Sequence, residues 1–332
     1  MRSGKDLILA TKEFAHEQRG RSWWYTLSTY ILLVAAIAGT FLPWLAVRIF
    51  CSVATAALLS RFFIIFHDFQ HHTILNRSKM ADVLFTIFGF YMITPPSIWK
   101  RSHDHHHNNN SKLWSASIGS YPVMTRAKFL AASPKEKFGY LATRSPYIMV
   151  LSYFTMFLYG MCLQSFLSSP KRHLDSLFTL IIHVAIAVFL FVEFGWLTWF
   201  LTFFLPFLLS HMLGAYLFYA QHNFPGVSFQ DNKNWTYAHA ALQSSSYMRM
   251  NPLMQWITAN IGFHHVHHLN AKIPFYRLQE AMKALPELQH PKITSFKLHD
   301  MVSCLRLKVW DAENREMIGF REMRKMPALQ QA

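Results

Sequence analysis

Six apolar runs, at about residues 25–42, 44–66, 83–98, 147–168, 177–194 and 196–220, limit what this chain can fold into. A helix needs roughly 20 such residues to cross the hydrocarbon core of a bilayer. Several runs qualify, whereas 83–98 is short. Of 332 residues, 52% are hydrophobic and 15% charged, a balance that argues against two soluble domains. The expected fold class is an all-α integral membrane protein, one domain over 1–332.

The formal net charge of +15 lies mainly outside the runs, in Met1–Arg21, Lys100–Arg101, Lys135–Arg144 and Ile293–Lys325. In a polytopic chain this is the Lys/Arg excess of cytoplasmic loops, not a nucleic-acid footprint, so no nucleic-acid partner is expected. A basic inner face suits anionic headgroups or an acidic redox partner. The first 22 residues lack the apolar core and cleavage site of a secretory signal, so the first hydrophobic segment is expected to remain as an anchor, with no secreted form. Cys51, Cys162 and Cys304 are widely spaced and suggest neither a disulfide nor a zinc ribbon.

Parity constrains the topology. With a basic N-terminus inside, 25–42 leaves, Pro43–Trp44 turns, and 44–66 returns to the cytoplasm. Pro95 and Pro96 break the 83–98 run, which reads as interfacial or re-entrant. Lys171, Arg172 and His173 mark 168–175 as cytoplasmic, whereas 193–196 has no Lys or Arg and reads as external. That leaves 147–168 re-entrant and four full crossings: 25–42, 44–66, 177–194 and 196–220. Residues 223–332 are expected to form a helical cytoplasmic cap.

Eleven of the 19 histidines fall in 16 residues: three in 67–72, four in 103–107 and four in 264–268. Even scatter would put about one there. A lone histidine is most often a hydrogen-bonded core residue, but crowded imidazoles repel when charged and lose solvation when buried. A shared cation that keeps them neutral resolves both penalties. Residues three and four apart share a helical face, which groups His67 with His71, His103 with His106 and His107, and His264 with His267 and His268. His72, His105 and His265 fall off those faces.

Eight imidazoles exceed what one tetrahedral zinc can use. Two metals is the natural count, and redox chemistry on a lipid-embedded substrate favours iron, though imidazole also suits zinc, copper and nickel. The absence of paired cysteines argues against iron–sulfur ligation. Asp68 and Asp104, inside the boxes, read equally as acceptors fixing imidazole tautomers or as ordinary interfacial carboxylates. His183 and Glu193 lie in or beside membrane runs, where ionisable groups are often functional; satisfied polar contacts are the expected reading.

The spacings His67-x-x-x-His71, His103-x-x-His106-His107 and His264-x-x-His267-His268 resemble the membrane fatty acid desaturases, particularly the acyl-lipid Δ12-type branch. The flanking Asn260-Ile-Gly-Phe-His-His-Val-His-His-Leu-Asn270 and Ile273-Pro-Phe-Tyr-Arg-Leu278 extend the likeness, which covers about residues 40–315. What the resemblance implies is the family's fold, two iron ions, O2 as co-substrate and an external electron donor. That donor would be ferredoxin or a cytochrome, since the chain has no His-Pro-Gly-Gly haem motif.

Phe218-Tyr-Ala-Gln-His222-Asn-Phe matches the position of a further family ligand after the last membrane helix. His222 thereby becomes a ninth candidate, against the alternative of a histidine capping a helix end. His72 competes with His71 for the second place in box one.

The function the resemblance implies is O2-dependent desaturation of a lipid acyl chain. A hydroxylase, carotenoid ketolase or alkane monooxygenase would use similar boxes. A metal transporter would place its ligands near the bilayer midplane, whereas these boxes sit at the ends of the apolar runs or outside them.

Overall fold

Apolar periodicity and two sharp turns produce two long helical hairpins. The computed structural model describes residues 2–113 and 120–326. The first hairpin joins Arg19–Gly39 to Leu45–Gln70 through Thr40–Trp44. A Cβ at Gly39 would lie 2.4 Å from Cys51 Sγ, so only glycine lets the helices meet so closely at the turn.

The second hairpin is one apolar stretch, Leu174–Ala220, broken at Gly195, whose φ of 77° and ψ of 168° leave helical space. Only glycine adopts such a conformation freely. The arms fold back symmetrically about it: the His183 and Phe207 rings, each 12 residues from Gly195, are 4.9 Å apart. In a straight helix those residues would be roughly 36 Å apart.

The two turns meet. Thr40 Oγ1 and Thr202 Oγ1 are 2.6 Å apart, and Arg48 donates to Thr40 O at 2.7 Å and to Thr198 Oγ1 at 2.8 Å. Both turns therefore lie at one end of the bundle, and the first histidine box, at the far end of Leu45–Gln70, lies at the other.

Between the hairpins, Lys79–Tyr91 stops before Pro95–Pro96 and the chain bends by 94° into the helix Pro96–Asn109, which carries box two. Its N-terminus is held from outside: Asp175 accepts from Ser97 N at 2.8 Å and from Ser97 Oγ at 2.6 Å, with His173 Nδ1 2.7 Å from the same hydroxyl. A carboxylate there satisfies donors that a helix start leaves open. Pro146–Ser168 is a further helical segment with a wide middle turn over Tyr153–Gln164.

Outward faces of the long helices carry large apolar side chains, Phe50 at 73% exposure and Val192 at 68% among them. A surface so continuously apolar is solvated by lipid, not water. The chain is a membrane protein.

After Ala220 come short helices and two ribbons, Tyr247–Arg249 paired parallel with Ile293–Ser295 and Val309–Asp311 antiparallel with Glu316–Ile318. The last six residues of the expected cap, 327–332, lie outside the described residues. The fold is mainly helical as expected, with these ribbons as additions.

Inside, Phe62, Phe66, Phe85 and Phe88 interlock with ring centroids 4.6–6.1 Å apart. They fix Leu45–Gln70 against Lys79–Tyr91. Phe63 and Phe66 then contact Trp99, which stacks on His103 at 4.9 Å. The aromatic core thus reaches the histidines.

Candidate metal centre and substrate cavity

The nine candidate histidines converge in two groups. His67, His71, His103, His107 and His267 form the first, and His106, His222, His264 and His268 the second, with the facing nitrogens of each group all within 4.8 Å of one another. In the first, Nε2–Nε2 separations are 2.9 Å for His71–His103, 3.1 Å for His103–His107 and 3.2 Å for His107–His267. In the second they are 2.8 Å for His222–His264, 3.1 Å for His264–His268 and for His106–His222, and 3.3 Å for His106–His268. His71, at the helix end, keeps the helical bond from its N to His67 O, and this carries it into the group. His72 is exposed, with a φ of 54°, and stays outside.

Boxes two and three each divide between the groups, whereas His67 and His71 of box one both belong to the first. On a helix, i and i+4 are rotated by about 40° and i+3 falls about 60° to the other side. His103 and His107 accordingly share the first group while His106 joins the second. In box three His264 and His268 share the second while His267 joins the first. The angular split was available from the spacing; the pairing of boxes was not.

Protonation decides whether these nitrogens fit a cation. His222 Nδ1 lies 3.0 Å from Ser244 O, and a carbonyl only accepts, so this nitrogen carries the proton and Nε2 presents a lone pair. Asp68 Oδ1, 3.3 Å from His67 Nδ1, imposes the same tautomer on His67. Burial, reinforced by neighbouring imidazoles, holds His103, His106, His107, His264, His267 and His268 well below the ordinary histidine range. Burial pushes His222 down to about 4.

At neutral pH these seven rings are uncharged, and lone pairs face lone pairs. Nitrogens about 2.1 Å from a common ion and roughly at right angles are about 3 Å apart, the spacing found here. Two divalent ions therefore fit the residues present, one per group.

Among the remaining box residues, His105 is exposed beside Asn109, and His265 is buried with Nε2 donating to Leu288 O at 3.2 Å. Neither joins a group. Asp104 forms a half-exposed pair with Lys100 at 2.7 Å. Asp68 is 1% exposed, and its second oxygen accepts from Phe275 N at 2.7 Å, so it ties box one to the segment after box three.

Asp68→Asn is expected to weaken metal retention about 10- to 100-fold, read by metal content after dialysis against a chelator. Unchanged retention would make Asp68 purely a packing residue. Sequence reasoning did not single out Ser244, or Ser120, whose Oγ is 3.1 Å from His106 Nδ1; no spacing rule marks acceptors on distant loops. His183 Nε2 is 2.6 Å from Tyr153 Oη while its Nδ1 is buried without a partner among the described residues, and Glu193 is exposed two residues before Gly195.

An apolar cavity of about 150 Å³ ends on the histidines. His67, His103 and His264 lie at that end, with Trp99 and Phe218 as walls. It follows one face of the last long helix through Ser210, Gly214, Phe218 and Gln221, a rise of roughly 16 Å. His211 and Met161 also line it.

With this geometry in hand, comparison with known proteins is decisive. The family model described as fatty acid desaturase matches residues 42–296. The chain belongs to the fatty acid desaturase family. The desaturase is 33% identical over 278 residues to a fatty acid desaturase of Bacillus subtilis (strain 168), covering 83% of this chain and 78% of that protein. It is 24% identical to the sn-1 oleoyl-lipid 12-desaturase of Synechocystis sp. (strain ATCC 27184 / PCC 6803 / Kazusa), covering 83% and 79%. It is also 24% identical to the sn-1 acyl-lipid omega-3 desaturase (ferredoxin) of Nostoc sp. (strain 36), covering 76% and 71%. The desaturase is thus an oxidoreductase of lipid metabolism.

Proposed function

We propose that the desaturase holds two iron ions on its nine converging histidines and converts a –CH2–CH2– unit of a long lipid acyl chain to –CH=CH–. The two hydrogens removed, with two electrons and two protons from outside, reduce O2 to two waters. The observation that carries this reading is an apolar cavity lined by His67 and His103 of the first imidazole group and by His264 of the second. Iron and O2 supply the oxidising power to break an unactivated C–H bond, which acid–base side chains lack.

The chain's own residues provide placement and dryness. Apolar walls take the methyl end of the substrate, and Trp99, packed between the aromatic core and His103, fixes one wall beside the imidazoles. Buried rings keep water from the reacting carbons. Electrons are proposed to come from ferredoxin, in keeping with the name of the Nostoc relative; the basic loops favour an acidic donor.

The test is product mass. Purified enzyme with reductant, O2 and an acyl lipid should give a product lighter by about two mass units; a gain of about sixteen would make it a hydroxylase.

We further propose four crossings, with the boxes on the cytoplasmic side. The bonding of the Thr40–Trp44 turn to the Gly195 turn supports placing both on the external side, and the Ser97–Asp175 contact supports placing 168–175 beside box two. A cysteine introduced as Lys171→Cys should resist membrane-impermeant thiol reagents in intact cells and react after permeabilisation. Labelling in intact cells would invert the topology.

A further inference from the structure

Arg144 is a buried cation without a counter-ion. Its side chain is 1% exposed, Nη1 donates to Pro122 O at 2.8 Å, Nη2 donates to Asn223 Oδ1 at 2.5 Å, and Nε is buried without a partner. Tyr140 and Tyr219 flank the guanidinium at 5.6 and 5.2 Å. Among the described residues no carboxylate lies within salt-bridge distance of it, and the chain between Leu113 and Ser120 contains no Asp or Glu. Lys308 adds to the positive field: its Nζ donates to Arg144 O at 2.7 Å, and burial together with the Arg144 charge lowers its pKa to about 8. Burying charge in this way is unfavourable by several kcal/mol per ion unless something of opposite sign arrives.

The guanidinium borders a second cavity. Lys112, Asn109 and Tyr121 line it together with His106 and His222. Among the described residues Lys112 Nζ is held by Asn109 Oδ1 at 3.2 Å and the Trp235 ring at 4.4 Å. Phe218 lines both cavities. Tyr121 is the other partition, since its Oη contacts Met156 Sδ and Ala215 O, residues of the apolar cavity, at 3.5 and 3.4 Å. Arg144 also immediately precedes a membrane-facing turn in which Tyr147 is 78% exposed. An exposed Tyr beside a membrane segment is commonly found at headgroup depth.

We propose that this polar cavity binds the phosphate of a glycerophospholipid, with Arg144 and Lys112 as its cationic partners, and that the esterified acyl chain passes Phe218 and Tyr121 into the apolar cavity. The headgroup then anchors the carboxyl end of the substrate, and the position of the double bond is counted from that end. The proposal rests on the desaturase reading only for the identity of the chain, and the phosphate site is tested without turnover.

The experiment measures binding of dihexanoyl-phosphatidylglycerol, dihexanoylglycerol and inorganic phosphate to the full-length protein in detergent. The phospholipid should bind at least about tenfold more tightly than the diacylglycerol, a difference of about 1.4 kcal/mol, the scale of one charge-assisted contact. Arg144→Gln should remove most of that preference and leave diacylglycerol binding unchanged. Lys112→Gln should reduce it too, and because Lys112 is only partly buried this variant still tests the site if Arg144→Gln does not fold.

Equal affinity for the two lipids, or equal weakening of both by Arg144→Gln, overturns the proposal and leaves Arg144 a latch between Pro122 and Asn223. Inorganic phosphate binding as tightly as the phospholipid overturns it in favour of a free-phosphate site. A product of the wrong mass would sink the desaturation reading and leave this binding result standing.

Discussion

His267→Ala and His268→Ala, one residue apart, are each expected to lose one bound ion, and a different one. His267 belongs with His67, His71, His103 and His107, whereas His268 belongs with His106, His222 and His264. Each variant should retain about half the metal that the wild type retains, and activity should fall by about a hundredfold or more, since even outer-sphere partners of a metal ligand are worth 10- to 100-fold.

His107→Ala should match His267→Ala in both respects. His265→Ala should keep both ions, because that ring bonds Leu288 O and touches neither group; its loss is one of stability, about 1–3 kcal/mol for an unpaired buried carbonyl. Iron content and a spectrum that separates coupled from isolated ions would check these outcomes. Equal losses in His265→Ala and His267→Ala would dissolve the two-group assignment.

Gly214→Leu is expected to stop turnover while leaving the metal centre intact. Gly214 sits inside the last long helix and lines the apolar cavity, and a Cβ built there meets nothing within 4 Å. Leucine is the better helix former by nearly 1 kcal/mol, so folding should not suffer. Its four carbons would occupy a cavity of about 150 Å³, leaving no path for an extended chain. Activity on an eighteen-carbon acyl lipid should drop at least about tenfold with iron content unchanged, since even one methylene is worth roughly 10- to 200-fold in an apolar pocket. Full activity in Gly214→Leu would mean that the substrate runs elsewhere.

Much of this protein is legible in its sequence. The runs ending at Leu42, Phe66, Phe194 and Ala220 correspond to helices because length and apolarity are local properties. Pro95–Pro96 marks the break between two helices for the same reason, proline acting on its own backbone. Nine histidines could be chosen from 19 by helical spacing together with resemblance. Asp68 and Asp104 were indistinguishable, however, since both follow box histidines on a helix. Only the approach of Phe275 to Asp68, and of Lys100 to Asp104, separates a carboxylate that orients an imidazole from one that does not.

Sequence alone determined that the chain lives in lipid and that its boxes present imidazoles in sets of two or three on helical faces. Periodicity and hydropathy act over a few turns of backbone, so they need no knowledge of neighbours. Tertiary structure decided that box two exchanges partners with box three, that Ser120 and Ser244 reach the outer nitrogens of His106 and His222, and that one cavity is apolar and the other cationic. Those outcomes depend on how helices 30 to 200 residues apart are rotated against one another, which is set by packing the whole aromatic core and is written in no single segment.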